Sequence, residues 1–169
     1  MNRCLLVILI LILSSCENSS LQQPIPSHEE SVESMKPTDQ QTEQLTSYAE
    51  QGNKSGVELL LKQGSDINGQ DTLGRTAVLA AAHGRQTDLV QYLIEQGADV
   101  NIRDNRSDNV LLYSGSEGLL EIVKLALAAH ADTRLTNRYG GTALIPASER
   151  GHVEVVSELL EHSDIQSHQ

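Results

Sequence analysis

Cysteine, histidine and a Ser-Gly-Ser run are the residues of this chain whose chemistry first asks for a use. Of two cysteines, Cys4 lies inside an apolar run and Cys16 stands where that run gives way to polar sequence, in LILSSCENSS at residues 11–20. If the apolar run is removed as a secretory signal, Cys16 is left as a lone thiol with no internal disulfide to form. The six histidines are scattered, and only His162 and His168 fall near one another, with Asp164 between them, so no metal site is expected. SGSEG, residues 114–118, has Ser114 where a nucleophile elbow has its first glycine, and no strand is expected before it. Glycine-rich phosphate loops and carboxylate pairs at a catalytic spacing are lacking. The expectation is a protein without enzymatic activity and without a cofactor. Asn-X-Ser, the pattern of a glycan acceptor, occurs at Asn18, Asn53 and Asn105.

The elements that must position any functional residue begin at the N-terminus. Arg3 precedes a ten-residue apolar run, Cys4 to Leu13. That is too short for the roughly 20 residues of a membrane-spanning helix and matches the roughly 7 to 15 of a secretory signal. Leu13-Ser14-Ser15-Cys16 resembles the lipobox of bacterial lipoproteins. The resemblance implies diacylglyceryl attachment at Cys16, cleavage before it (signal peptide 1–15), and lipid anchoring to the extracytoplasmic side of a membrane. Two acyl chains hold a protein stably at a membrane where one does not. Glu17 follows the cysteine, and without an Asp there the choice between inner and outer membrane stays open. From residue 16 to 43 the sequence is rich in Ser, Gln, Glu and Pro, with six acidic residues against Lys36. This is expected to be a disordered tether.

Residues 44–165 repeat. Gly74, Ser107 and Gly140 are 33 residues apart, as are Leu45, Val78, Leu111 and Leu144, then Val57, Val90, Val123 and Val156, then Asp66, Asp99 and Asp132. A fixed period of this size marks a solenoid whose units bury their apolar faces only against neighbours. In DTLGRTAVLAAAHGRQTDLVQYLIEQGADVN, residues 71–101, Asp71 and Gly74 form a turn. Thr76 is placed to cap a first helix, and Leu89, Val90, Leu93 and Ile94 make one apolar stripe of a second. Gly97 fits the left-handed residue that ends that helix. With four Tyr and no Phe or Trp, the core must be built from small aliphatic layers.

GSDIN at 64–68, GADVN at 97–101 and GHVEVVSELL at 151–160 resemble the ankyrin repeat, and LLYSGSEG through NRYGGTALIPA looks like a bacterial branch of that family. The resemblance implies an all-α solenoid of about four helix-loop-helix repeats (44–70, 71–103, 104–136, 137–165), projecting β-turns or hairpins, and a short tail at 166–169. The family's TPLH is replaced by Thr76-Ala77-Val78-Leu79, Asn109-Val110-Leu111-Leu112 and Thr142-Ala143-Leu144-Ile145. The histidine that links repeats is therefore absent, and apolar contact is expected to substitute. His130 and Ser163 stand where a helix-ending Gly is expected, at about 1 kcal/mol each if the left-handed conformation is kept. Leu159 and Leu160 are expected to be poorly covered, as in a shortened relative or an end completed by a partner. His83 and His152 fall where the family places exposed residues between helices.

The family implies protein recognition through turns and first helices. Transferred by position, the binding residues are Leu73, Arg75, Arg106, Asp108, Glu117, Arg138, Tyr139 and Arg150, flanked by Thr72, His83, Asn105, Ser116 and Glu149. The formal charge of −11 disfavours nucleic acid and anionic lipid headgroups as partners of the folded part. No small-molecule substrate is expected. The expected function is a membrane-anchored, extracytoplasmic protein-interaction module of a bacterial envelope, periplasmic or at the cell surface. A sharper expectation is an immunity-like factor against a secreted toxin. The alternative is an envelope stress-protection or structural protein without one dedicated partner.

Overall fold

The computed structural model describes residues 37–166, and side chains from residue 39 to residue 162. Cys16, the signal segment, most of the expected tether and His168 lie outside the described residues. Eight helices follow one another: α1 (Pro37–Glu50), α2 (Lys54–Lys62), α3 (Ala77–His83), α4 (Thr87–Glu95), α5 (Val110–Glu117), α6 (Leu120–Ala128), α7 (Leu144–Glu149) and α8 (Val153–Gln166). No strand occurs among the described residues. Each odd helix packs on the next odd helix, α4 on α6 and α6 on α8, which gives four helix pairs stacked as two layers. The 33-residue step is visible in the packing. Leu45, Val78 and Leu111 are buried in the first layer, and Val57, Val90 and Val123 are fully buried in the second. Leu144 and Val156, their counterparts in the last pair, are half-buried.

Local signals explain where the helices start and stop. Asn53, Thr76 and Asn109 accept hydrogen bonds from the N–H groups of Gly56, Leu79 and Leu112, capping α2, α3 and α5. After the second helices, Gly64 and Gly97 adopt positive φ, and His130 takes the same left-handed turn at φ 60° despite its side chain. Ser163 differs from expectation. EHSDIQ contains neither Gly nor Pro, and α8 continues through Ser163 to Gln166. At the other end α1 starts at Pro37, inside the stretch expected to be tether. Pro suits a first turn, and Thr42, Leu45, Thr46 and Ala49 form a buried stripe at helical spacing.

The repeats are joined by polar contacts in addition to the apolar contact expected in place of the absent histidine. The Asn68 carboxamide accepts from the Asp99 N–H at 2.9 Å, and Asn101 accepts from Asp132 N–H at 2.8 Å. Gln70 Nε2 donates to the carbonyl oxygens of Gly74 and Arg103, and the Arg103 guanidinium donates to those of Ser107 and Thr136. His83 and His152 are not solvent-facing spacers. His83 stacks on Tyr113, with ring centroids 3.8 Å apart, and His152 Nε2 lies 3.2 Å from the Ser116 carbonyl oxygen. Leu159 is also better covered than expected. It shares a buried face of α8 with Val155, whereas Leu160 is 46% exposed.

Candidate recognition surface

The turns before the odd helices are three copies of one device. Asp71 Oδ1 accepts from the N–H groups of Leu73 and Arg75, and Asp104 Oδ1 from those of Arg106 and Asp108. Asn137 Oδ1 accepts likewise from Tyr139 and Gly141. Each turn then closes through a residue at positive φ, Gly74, Ser107 or Gly140, whose N–H donates back to the Asp71, Asp104 or Asn137 carbonyl. This anchoring group faces inward, so the next two residues are pushed out. Leu73 is 56% exposed and Tyr139 80% exposed, and Arg106 and Arg138 lie on the surface beside them.

The expected binding residues divide into two sets. Leu73, Arg106, Asp108, Arg138 and Tyr139 lie at or beside the turn tips. Arg75, Glu117 and Arg150 tie repeats together. Arg75 pairs with Asp71 at 3.0 Å and with Glu50 of the preceding repeat at 3.1 Å, and its side chain is only 14% exposed. Glu117 receives Arg150 at 2.6 Å and Arg85 at 3.6 Å, from the repeats on either side of its own. Arg150 also donates to the Ser116 carbonyl at 2.7 Å. The Arg138 guanidinium lies over the Tyr139 ring, 5.0 Å from its centroid. SGSEG falls at the end of α5 and its turn, with Ser114 fully buried and its hydroxyl donating to the Leu111 carbonyl.

Between α5 and α7 the surface opens into a groove of about 530 Å3, lined by Asp108, Leu112, Ser116 and, from the last repeat, Arg138, Tyr139, Ile145, Pro146, Glu149 and Arg150. Ile145 is 50% exposed there. Its exposure is not legible in the sequence, because the 33-residue step aligns it with Leu79 and Leu112, both buried. Burial and the neighbouring Asp104 carboxylate push the Asp108 carboxyl above the ordinary Asp range, against the pull of Arg138, Arg106 and Arg103. Burial, with help from the nearby Arg75 charge, holds the His83 imidazole below its usual value. Burial also raises the Tyr113 phenol. No three side chains of His, Cys, Asp or Glu converge on a metal position among the described residues.

A stack of paired helices presenting repeated turns defines a helical-repeat scaffold for protein–protein interaction. The family model for ankyrin repeats, three copies long, matches residues 45–133 and 111–169. The chain belongs to the ankyrin-repeat family. A search of curated proteins returned no match. No described helix is long and apolar enough to cross a membrane.

Proposed function

We propose that this chain is a lipid-anchored recognition module on the extracytoplasmic side of a bacterial membrane. It binds an envelope or secreted protein through the turn tips and the α5–α7 groove. The observation that carries the recognition half is the exposure of Tyr139 and Leu73 on turns whose backbones are rigidly tied from within. Rigid aromatic anchors beside arginine are the side chains that most often dominate interface energy. The anchoring half is supported by the sequence Leu13-Ser14-Ser15-Cys16 after its short apolar run. Within this reading, an immunity-like role against a toxin arriving in the envelope uses the same surface, with the anchor holding the protein where the toxin enters.

Two measurements test the halves separately. Cells grown with labelled palmitate should yield labelled wild-type protein at the membrane and unlabelled, released Cys16→Ser protein. Unchanged membrane retention of the variant would remove the anchor. Partner capture from membranes, repeated with Arg106, Arg138 and Tyr139 each changed to Ala, should lose a stoichiometric partner. A partner retained by all three variants would move recognition to another face. A captured secreted toxin whose activity is neutralised would establish the immunity role.

A further inference from the structure

We infer that the α5–α7 groove takes a Lys or Arg side chain of the partner, with the Asp108 carboxylate as its acceptor and the Tyr139 ring beside its stem. The inference rests on the recognition surface proposed above and specifies its ligand chemistry. Two acids line the groove, Asp108 and Glu149, and neither carboxylate has a hydrogen-bond or ion-pair partner among the described residues. Arg138, Arg106 and Arg103 pull on Asp108 only from beyond ion-pair distance, and Arg103 is bonded to the Ser107 and Thr136 carbonyls. Arg150 is held by Glu117 and the Ser116 carbonyl, and Arg138 lies on the Tyr139 ring. The Asp108 backbone N–H is satisfied by Asp104, so its side chain has no part in closing the turn.

The walls suit such a side chain. Lys and Arg carry a long apolar stem beneath a charged head, and they gain from lying along apolar surface or over an aromatic face. Tyr139, Ile145 and the buried Leu112 provide that surface in the same groove that the two acids line. A groove of about 530 Å3 lies within the roughly 300–1,000 Å3 of sites that enclose small ligands. Asp108 has lost water without gaining a donor, and this burial, with the Asp104 carboxylate beside it, makes its carboxyl hold its proton more tightly than usual. An arriving ammonium or guanidinium supplies the missing donor. The formal charge of −11 favours approach of a basic partner over an acidic one.

The test is selection of a displayed library of random short peptides on the full chain, with Asp108→Asn, Tyr139→Ala and Ile145→Asp prepared in parallel. Matching circular dichroism and a single cooperative thermal transition confirm that each variant is folded. The expected result is a set of binders sharing one Lys or Arg. Replacing that residue by Met, or Asp108 by Asn, should weaken binding about tenfold or more, equivalent to about 1.4 kcal/mol. Binders that lack a shared basic residue, or carry a shared acidic one, or bind Asp108→Asn as well as wild type, overturn the basic-side-chain inference. If those binders still lose affinity on Tyr139→Ala or Ile145→Asp, the recognition surface itself stands. If no binder is recovered, or none responds to any variant, both the ligand chemistry and the surface fall.

Discussion

Asp108 is a half-buried acid left without a donor, and its cost to folding has a definite sign. Its folded pKa is raised by burial and by Asp104, so the native state binds that proton more tightly than the unfolded chain does. The ionised group therefore subtracts from stability above the folded pKa. That penalty fades as the pH falls through the folded value toward the ordinary carboxylate range. Asp108→Asn should unfold at a higher temperature than wild type at neutral pH, with the gap shrinking in mild acid. Equal or lower stability of the variant at neutral pH would contradict the assigned environment. A second single-residue cost sits at His130, held at φ 60° where Gly64 and Gly97 occupy the equivalent turns. A left-handed non-Gly residue costs about 1–2 kcal/mol, and the greater chain entropy of Gly returns about half of that. His130→Gly should therefore gain about 0.5–1 kcal/mol in urea unfolding.

At the scale of helices, close approach of α1 and α3 depends on one glycine. A Cβ at Gly84, the residue ending α3, would run into the Glu50 carbonyl oxygen at the end of α1. Backbone cannot yield as a flexible side chain can, so Gly84→Ala should cost about 1–3 kcal/mol in unfolding free energy. A loss no larger than that of Gly141→Ala, where φ is not left-handed and the added carbon makes only ordinary contacts, would argue against the tight crossing. The helix pairs were legible in the sequence because residues such as Val57, Val90 and Val123 face the same neighbour in every unit, and identical surroundings select identical side chains. The start of α1 was hidden because Thr42 and Thr46 serve as its buried stripe, and PTDQQTE reads as solvated sequence. The turn tips were legible through Gly74, Ser107 and Gly140. The division between free tips and clamps was not. Whether Arg75 meets solvent or Glu50 depends on a residue 25 positions away, in a different repeat. The stacking of His83 on Tyr113 is likewise a contact between units, which no pattern within one unit reveals.

Across the molecule, the described helices pack on those of neighbouring repeats, and Glu117 forms ion pairs to both sides, through Arg85 and Arg150. These pairs are partly exposed and hold less than about 1 kcal/mol each, so the stack relies on its aliphatic layers for stability. A formal charge of −11 makes association sensitive to salt. With a Debye length of about 30 Å at 0.01 M and about 8 Å at 0.15 M, the association rate of a Lys-bearing binder should fall steeply between these conditions, as stopped-flow mixing would show. A rate indifferent to salt would mean that the field of the protein does not guide its partner. The exposure of Tyr139 also has an optical consequence. The chain has four tyrosines and no tryptophan, so its near-ultraviolet emission comes from phenols alone. Tyr48, Tyr92 and Tyr113 are half-buried, whereas Tyr139 is 80% exposed beneath a guanidinium at the lip of the groove. Iodide should therefore quench one emitter preferentially, and a bound peptide should shield it. The fold thus carries an unlabelled fluorescent gauge of occupancy, set into the surface whose occupancy it reads.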